Sequence, residues 1–339
     1  MKLIKFFSSV LLLITLSSSY SHSVTLTVGG TGIKNTAGEQ KWLSFEKNIK
    51  ELSNGEIKTK MLIYGELGPE ENLVSGIRRG RIQVANWSGL AGSTVVPELS
   101  MLYSPFLFDD YSEADFIMDN YLFNAYAKLL ADKDVTFISW DEIGFNQIYS
   151  QKAISSPLDM QGIRFRTASS ESSRLFAKAI EADAIPLGFT DIVTGLQTGL
   201  IESGENAIIM YAPTGIAGEA PNLLMTNHSF ATSIIVARKR WLDSLDEKHQ
   251  LAVKKSYIDI STSREWTREE INSLLNNHKR WGFTINTLSR QQRNQWKDST
   301  SSVAKKLIDK IGGQSALIWD LVNEGKEAFK LYKMETIKN

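Results

Sequence analysis

Apolar residues follow two alternating spacings along the chain, and each spacing predicts a different element. Short apolar runs predict strands over residues 24–28, 57–64, 82–87, 135–140, 163–167 and 233–237. Between these runs, apolar residues recur three or four positions apart, as at Trp42, Phe45 and Ile49, which predicts helices. The predicted helices include 112–133, 170–182, 191–200 and 246–279, and two more close the chain. Strands that alternate with helices indicate an α/β protein.

Turn and capping residues mark several of these boundaries. Asn54-Gly55 ends the first helix, Pro69 opens a short one, and Ser112 with Asp115 gives a capping-box-like start to a long one. The 339 residues suffice for about two domains, yet the chain has no internal repeat and no Pro-rich linker. Because no linker separates the two domains, we expect the chain to cross between them more than once.

The first 23 residues are predicted to be a secretory signal peptide and not part of the fold. Lys2 and Lys5 give a positively charged start, and a short apolar stretch and a Ser-rich segment follow. The apolar stretch is shorter than the roughly 20 residues that span a membrane, so a cleaved signal is favoured over a buried helix or an uncleaved anchor. Cleavage is predicted after Ser21 or Ser23, and the mature chain is expected to be exported. An exported chain without cysteine is more typical of a bacterial periplasm than of an animal secretome.

The composition excludes several chemistries. With 38 Lys+Arg against 38 Asp+Glu, the formal net charge is +0, so no nucleic-acid partner is expected. The absence of cysteine removes disulfide frameworks, zinc ribbons, iron–sulfur clusters and cysteine nucleophiles. The 4 histidines have no recognisable ligand spacing, and no phosphate loop or nucleophile elbow occurs. No metal and no cofactor are therefore predicted.

Two other segments have some resemblance to functional motifs. Gly30-Thr31-Gly32 follows a strand like a dinucleotide-binding turn, but Asn35 stands where the third glycine belongs. The segment is interpreted as a strand-to-helix turn whose backbone N–H groups face a cleft, with Thr31 as a candidate contact. Glu70 and Glu71 are interpreted as solvated loop acids, because adjacent residues rarely converge on one substrate.

Arg164 and Arg166 are the clearest candidates for a binding site. They lie two positions apart on a predicted strand, so they share a face while Phe165 points the other way. Two guanidinium groups on one face favour an anion. From spacing alone, solvation or salt bridges to nearby acids explain the pair equally well.

The segments around this strand carry a family resemblance. Segments 162–167, 185–189, 196–199 and 201–206 follow one another in order, after 65–68, 76–80 and 105–108 upstream. Together they resemble the substrate-binding proteins of tripartite ATP-independent periplasmic (TRAP) transporters, of the DctP type or solute-binding family 7. The resemblance covers essentially the whole mature chain.

This resemblance implies a two-lobed α/β periplasmic binding protein of type II-like fold, with an interlobe cleft and a long lobe-spanning helix from Asp246. Lobe I would take 24–143 and 232–271, and lobe II would take 144–231 and 272–339. The lobes would close on the carboxylate of a small organic acid. The closed protein would deliver the acid to the small and large membrane subunits of a permease. Two other classes remain as alternatives: an exported hydrolase-type enzyme, and an ABC-type binding protein or ligand sensor on the same two-lobe plan.

The resemblance also implies roles for individual residues. It assigns the carboxylate-binding arginine to Arg166 and not to Arg164. Asn206 corresponds to an amide that donates to the same carboxylate. Phe189 would pack against the ligand body, and Asp191 matches an acidic position of the family.

The sequence departs from the family pattern at two places. Asn146 stands where many relatives carry a second arginine, so a second ligand carboxylate is less well supported. The segment Asn86-Trp87-Ser88-Gly89 offers an indole where relatives place polar or acidic contacts. If Trp87 faces the cleft, it suits an apolar, aromatic or sugar-like ligand body, and core packing is the equal alternative. Ser88 is a further candidate contact in the same segment.

Overall fold

A computed structural model describes residues 24–338, so the predicted signal peptide lies outside the described residues. Strands and helices alternate as predicted, and the nine strands of the described range join in one mixed sheet. The strands are β1 (Val24–Gly29), β2 (Ile57–Leu62), β3 (Val84–Ser88), β4 (Val135–Ser150), β5 (Arg164–Thr167), β6 (Asp183–Pro186), β7 (Ser203–Ala207), β8 (Asn222–Arg238) and β9 (Thr284–Thr287).

The α-helices of the described range vary from a single turn to 24 residues. They are α1 (Ala37–Leu52), α2 (Glu70–Arg79), α3 (Gly89–Gly92), α4 (Tyr111–Ile117), α5 (Phe123–Ala131), α6 (Glu171–Ala179), α7 (Ile192–Gln197), α8 (Ile208–Tyr211), α9 (Ile216–Glu219), α10 (Lys239–Asp243), α11 (Glu247–Ser256), α12 (Ile260–Asn276), α13 (Arg290–Thr300), α14 (Val303–Ile311) and α15 (Ser315–Lys338). None of these helices is long and apolar enough to cross a membrane.

Two long antiparallel strands, β4 and β8, join the two lobes of the molecule. The strand order is β2-β1-β3-β8-β4-β7-β5-β6, with β9 paired to β8. Parallel strands β2, β1 and β3 extend the sheet beside β8, whereas β7, β5 and β6 extend it beside β4. The pairing of β4 with β8 shifts register between 137 and 139, 142 and 144, and 146 and 148. The last two irregularities lie where one lobe gives way to the other.

A glycine is required at the middle of this connection. Gly144 lies at one register shift with φ of 103°, a region that side chains rarely adopt. A Cβ there would also lie 2.7 Å from Cδ1 of Ile271 on α12. Helix α12 therefore packs closely against β4 at the junction between the lobes.

Each lobe has an apolar core on both faces of its part of the sheet, as expected for a layered α/β fold. The two cores of the first lobe are centred on Trp42, Phe45 and Ile49, and on Trp87, Leu99 and Tyr126. The two cores of the second lobe are centred on Phe165, Phe176 and Trp296, and on Ile192, Tyr211 and Phe283.

The structure corrects several predicted boundaries. Strands β4 and β8 extend well beyond the predicted runs over 135–140 and 233–237, because buried polar residues such as Asp141 and Asn146 interrupt their apolar pattern. The predicted helix over 112–133 begins after Asp110, which caps it by accepting from the Glu113 N–H. That helix also contains a π-helical segment at Met118–Leu122.

The predicted long helix over 246–279 is divided in the structure into α11 and α12. Tyr257 takes an extended conformation between them, and Asp259 caps α12 by accepting from the Ser261 N–H. Helix α12 is the lobe-spanning helix, since it packs against α1 in the first lobe and against α8 in the second.

The C-terminal helix packs against the predicted lobe I, although it was assigned to lobe II. Residues 272–339 were assigned to lobe II, yet α15 packs on α4: Lys326 pairs with Glu113 at 3.2 Å, and the rings of Phe329 and Phe116 lie 5.4 Å apart. The predicted boundaries at 143, 231 and 271 fall inside β4, β8 and α12, the three segments that connect the lobes. The lobe limits themselves stay a prediction.

Candidate ligand-binding site

A cavity of about 380 Å³ lies between the two lobes. Its volume is within the range of roughly 300–1,000 Å³ that is typical of small-molecule sites. The turn after β1, the start of α2 and the end of β3 form one wall. The ends of β5 and β7 and the turn before α7 form the other, and β4 and β8 close the floor.

Arg166 is a cation of the cavity lining that has no ion-pair partner among the described residues. Its Nε donates to the backbone carbonyl of Leu187 at 2.9 Å, and its terminal nitrogens have no hydrogen-bond or salt-bridge partner among residues 24–338. The residue is only 7% exposed. Arg164 instead lies at the surface, where it pairs with Glu202 at 3.4 Å. The two arginines therefore have different roles, and only Arg166 lines the cavity.

Strand β7 leaves space for the Arg166 side chain. Gly204 pairs in register with Arg166, and a Cβ on Gly204 would clash with Oη of Tyr149 and lie 3.1 Å from Cβ of Arg166. Burial raises the pKa of Tyr149 far above its ordinary value, so the phenol beside Arg166 stays neutral.

Asn206 adds a second donor to the same wall. Its Nδ2 is buried and has no hydrogen-bond partner within the described part of the chain. An unpaired buried amide costs about 1–3 kcal/mol, so such a group on a cavity wall calls for a ligand acceptor. Arg166 and Asn206 come from the paired strands β5 and β7 and give this wall a donor character.

The other wall has an acceptor character. Ser88 donates its backbone N–H and its hydroxyl to the Glu70 carboxylate, at 2.9 and 2.7 Å. Burial raises the pKa of Glu70, although the Ser88 hydrogen bonds and the charge of Arg166 oppose this shift. Next to them, Oδ1 of Asn86 is buried without a partner in the described residues. Glu70 is therefore a cavity residue, and its interpretation as a solvated loop acid is wrong.

Two further charged groups of the cavity, Lys41 and Glu142, are paired within the protein. Lys41, only 3% exposed, donates to Asp141 and to the Thr267 hydroxyl, both at 2.7 Å. Glu142 accepts two bonds from Arg268, at 2.9 and 2.6 Å. These pairs fix α1 and α12 to the floor strand β4, and they leave neither Lys41 nor Arg268 free for a ligand.

A buried contact between a carboxylate and a histidine lies beside Arg166. Oε2 of Glu205 lies 2.7 Å from Nε2 of His228, and Oε1 accepts from the Ser173 hydroxyl at 2.7 Å. The His228 ring stacks on Phe176 with 4.2 Å between centroids. Burial raises the pKa of Glu205, but His228, Ser173 and Arg166 together lower it below its ordinary value.

Six of the eight predicted contact residues line this cavity. They are Thr31, Ser88, Asn146, Arg166, Phe189 and Asn206. Asn146 is held in place because its Nδ2 donates to the Ser229 hydroxyl at 3.0 Å. The prediction for the Thr31 turn needs one correction: the flanking N–H groups of Gly30 and Gly32 donate to carbonyls at the end of β2 and do not face the cleft.

Trp87 and Asp191 do not line the cavity. Successive residues of a strand point to opposite faces, and Asn86 and Ser88 take the cavity face of β3. The Trp87 indole is fully buried in the core on the other face, so its prediction as a ligand contact is corrected to core packing. Asp191 is exposed at the start of α7, outside the cavity lining.

Sequence reasoning missed several lining residues, chiefly Glu70, Asn86, Lys41 and Glu205. A usable signal existed for Asn86, which shares a strand face with the predicted contact Ser88. The described residues contain no group of three or more side chains that could hold a metal ion.

Comparison with known proteins places this site in a family. The model of the bacterial extracellular solute-binding proteins, family 7 (DctP), matches residues 31–310. The 2,3-diketo-L-gulonate-binding periplasmic protein YiaO of Escherichia coli (strain K12) is 24% identical over 287 residues, which cover 83% of this chain and 85% of the relative. The ectoine-binding periplasmic protein TeaA of Halomonas elongata is 25% identical over 293 residues, with 84% of each chain covered.

A solved structure has the same fold. The sugar acid binding protein DctPAm from Advenella mimigardefordensis strain DPN7T, crystallised in complex with galactonate, superposes with a TM-score of 0.84 at 23% identity. The match covers 89% of this chain and 98% of the other.

Proposed function

The chain belongs to family 7 of the bacterial extracellular solute-binding proteins, and we propose that it captures a small organic acid in the cavity between its lobes. The acid binds through its carboxylate and is delivered to the small and large membrane subunits of a TRAP-type permease, which an ion gradient drives. The proposed location is the periplasm, after export by the signal peptide predicted over residues 1–23.

The unpaired guanidinium of Arg166 is the observation that carries this proposal. A buried cation without a partner is costly, and a carboxylate compensates it by accepting two parallel hydrogen bonds in the plane of the guanidinium. Nδ2 of Asn206 supplies a further donor on the same wall. Two of the similar proteins are named for sugar acids, 2,3-diketo-L-gulonate and galactonate, whose carboxylate suits such a wall.

A thermal-shift comparison of galactonate with its uncharged counterpart galactitol tests the proposal. A ligand that binds only the folded state stabilises it by RT ln(1 + [L]/Kd). We expect galactonate to raise the Tm of the mature chain and galactitol to leave it unchanged. Mass spectrometry should recover the galactonate unaltered, because binding involves no reaction. The absence of any shift across sugar acids, hydroxy acids, aromatic acids and dicarboxylates would contradict the proposal, as would turnover.

Delivery is tested separately, in proteoliposomes that contain the two membrane subunits. Uptake of labelled galactonate should require this protein and an ion gradient. Uptake that proceeds equally well without the protein would contradict the delivery step.

A further inference from the structure

We propose that the cavity selects acids whose carbon skeleton carries several hydroxyl groups, because the wall across from Arg166 presents hydrogen-bond acceptors. This inference rests on the proposed function, since it concerns the ligand of the same cavity. It is narrower than that function, because a plain aliphatic acid or a dicarboxylate would equally satisfy Arg166.

The charges of the lining residues argue against a second carboxylate on the ligand. Six carboxylate side chains and two cations line the cavity: Glu70, Glu71, Asp141, Glu142, Glu205 and Glu270, with Lys41 and Arg166. Lys41 is already paired with Asp141. Once Arg166 binds one ligand carboxylate, a second would meet carboxylates with no free cation among the described residues that line the cavity.

The free acceptors on the far wall call for donors on the ligand body. Oδ1 of Asn86 is buried and unpartnered within the described range. Each oxygen of Glu70 accepts one bond from Ser88 and retains capacity for another, since a carboxylate oxygen has two lone pairs. A hydrocarbon body would leave these acceptors buried against methylene groups. Ligand hydroxyls would satisfy them.

Hydroxyl groups fit this wall better than one terminal ammonium group. The acceptors come from two elements, Asn86 on β3 and Glu70 at the start of α2. A terminal ammonium places all its donors at one point of the ligand, whereas a polyhydroxylated chain distributes them. The Glu70 carboxylate also already accepts hydrogen bonds from two donors of Ser88, which compensate part of its negative charge.

Three six-carbon acids of equal length separate these possibilities by isothermal titration calorimetry. Galactonate carries hydroxyls along the chain, hexanoate carries none, and 6-aminohexanoate ends in an ammonium group. We expect galactonate to bind at least about 100-fold more tightly than either, because a site built to hydrogen-bond hydroxyls rejects the analogue that lacks them. Hexanoate or 6-aminohexanoate binding as tightly as galactonate would overturn the inference.

Substitutions locate the discrimination on the acceptor wall. Glu70→Gln and Asn86→Leu should each lower the affinity for galactonate about tenfold and leave weak hexanoate binding unchanged. Glu51→Gln, which removes an exposed acid of α1 outside the cavity, is the matched control and should change neither. An unchanged ratio of galactonate to hexanoate affinity in both cavity variants would overturn the inference.

The outcomes also separate this inference from the proposed function. If all three acids bind equally and Arg166→Ala abolishes their binding, carboxylate capture stands and hydroxyl selection fails. If none of the three acids binds, and no other acid raises the Tm, the proposed function fails together with the inference. The Tm of each variant without ligand verifies that the variant is folded.

Discussion

Arg166 donates its Nε–H to the backbone carbonyl of Leu187 at 2.9 Å, which fixes the guanidinium at the cavity wall while its terminal nitrogens face no partner in the described chain. Because Leu187 lies just after β6 and Arg166 lies on β5, this single bond ties the arginine to the neighbouring strand. The arginine is thereby oriented before any ligand arrives. A preoriented fork loses less conformational entropy on binding than a mobile side chain does.

Asn206→Leu should separate affinity from stability. The Nδ2 of Asn206 is buried without a partner in the described residues, so its removal relieves an unfavourable group in the ligand-free protein. We expect an equal or higher Tm without ligand and an affinity for galactonate about tenfold lower, from the loss of one hydrogen bond. Calorimetry and thermal melting measure the two effects.

Asn222→Leu is the control for that substitution. The Nδ2 of Asn222 donates to two backbone carbonyls, of Ser150 and Gln151, outside the cavity lining. Its loss should lower the Tm and leave the affinity for galactonate unchanged. The opposite pattern in the two variants would contradict the assignment of Asn206 to the ligand.

Asn146→Arg should shift the ranking of ligands toward dicarboxylates. Asn146 lines the cavity from the floor strand β4, so an arginine there would add a second unpaired cation to a cavity in which Arg166 is now the only one among the described lining residues. We expect succinate to gain affinity relative to hexanoate in the variant, measured side by side by calorimetry. An unchanged ranking in a folded variant would count against the cavity geometry described above.

The contribution of Glu70 to the stability of the ligand-free protein should decrease as the pH rises. Burial raises the pKa of Glu70 above its ordinary value of 4.5, so the folded chain holds this proton more tightly than the unfolded chain does. The contribution of Glu70 to the free energy of unfolding is therefore most favourable below that ordinary value and is lost as the pH rises through the raised pKa. Urea titrations of wild type and Glu70→Gln at several pH values measure this difference. Parallel stability curves for the two proteins would show that Glu70 has no raised pKa.

Glu205→Gln should destabilise the fold. The buried Glu205 carboxylate is hydrogen-bonded to His228 and to Ser173, both at 2.7 Å, and hydrogen bonds to a charged group contribute about 1.5–3 kcal/mol each. Ser173→Ala removes one of these bonds together with the acceptor of the Ala168 N–H, keeps the Glu205 charge, and should cost less, about 2 kcal/mol. Urea denaturation gives both values, and equal losses in the two variants would mean that the charge of Glu205 contributes nothing to stability.

The sequence predicts the layered α/β plan because helical and strand spacings are distinct over most of the chain. It does not predict the length of β4 and β8, since their central residues are polar and buried only because both lobes and the cavity surround them. Asp141 and Asn146 interrupt the apolar run in the sequence, although they lie within a continuous strand.

The candidate site shows the same limit. Spacing places Arg164 and Arg166 on one strand face, and only the family resemblance separates them. The alternation of β3 requires Trp87 and Ser88 to point to opposite faces, but the sequence does not say which face borders the cavity. Glu70 has the appearance of an ordinary acid in the first turn of a helix, because its burial depends on the facing lobe.

The affinity of Arg166→Ala for galactonate, compared with that of Arg164→Ala, shows whether Arg166 holds the ligand carboxylate. Arg166→Ala removes the two charge-assisted bonds to the carboxylate, each worth about 1.5–3 kcal/mol, so we predict a loss of about 100-fold or more by calorimetry. Arg164→Ala removes an exposed arginine from the same strand and should leave the affinity unchanged. Wild-type affinity in a folded Arg166→Ala variant would contradict the account.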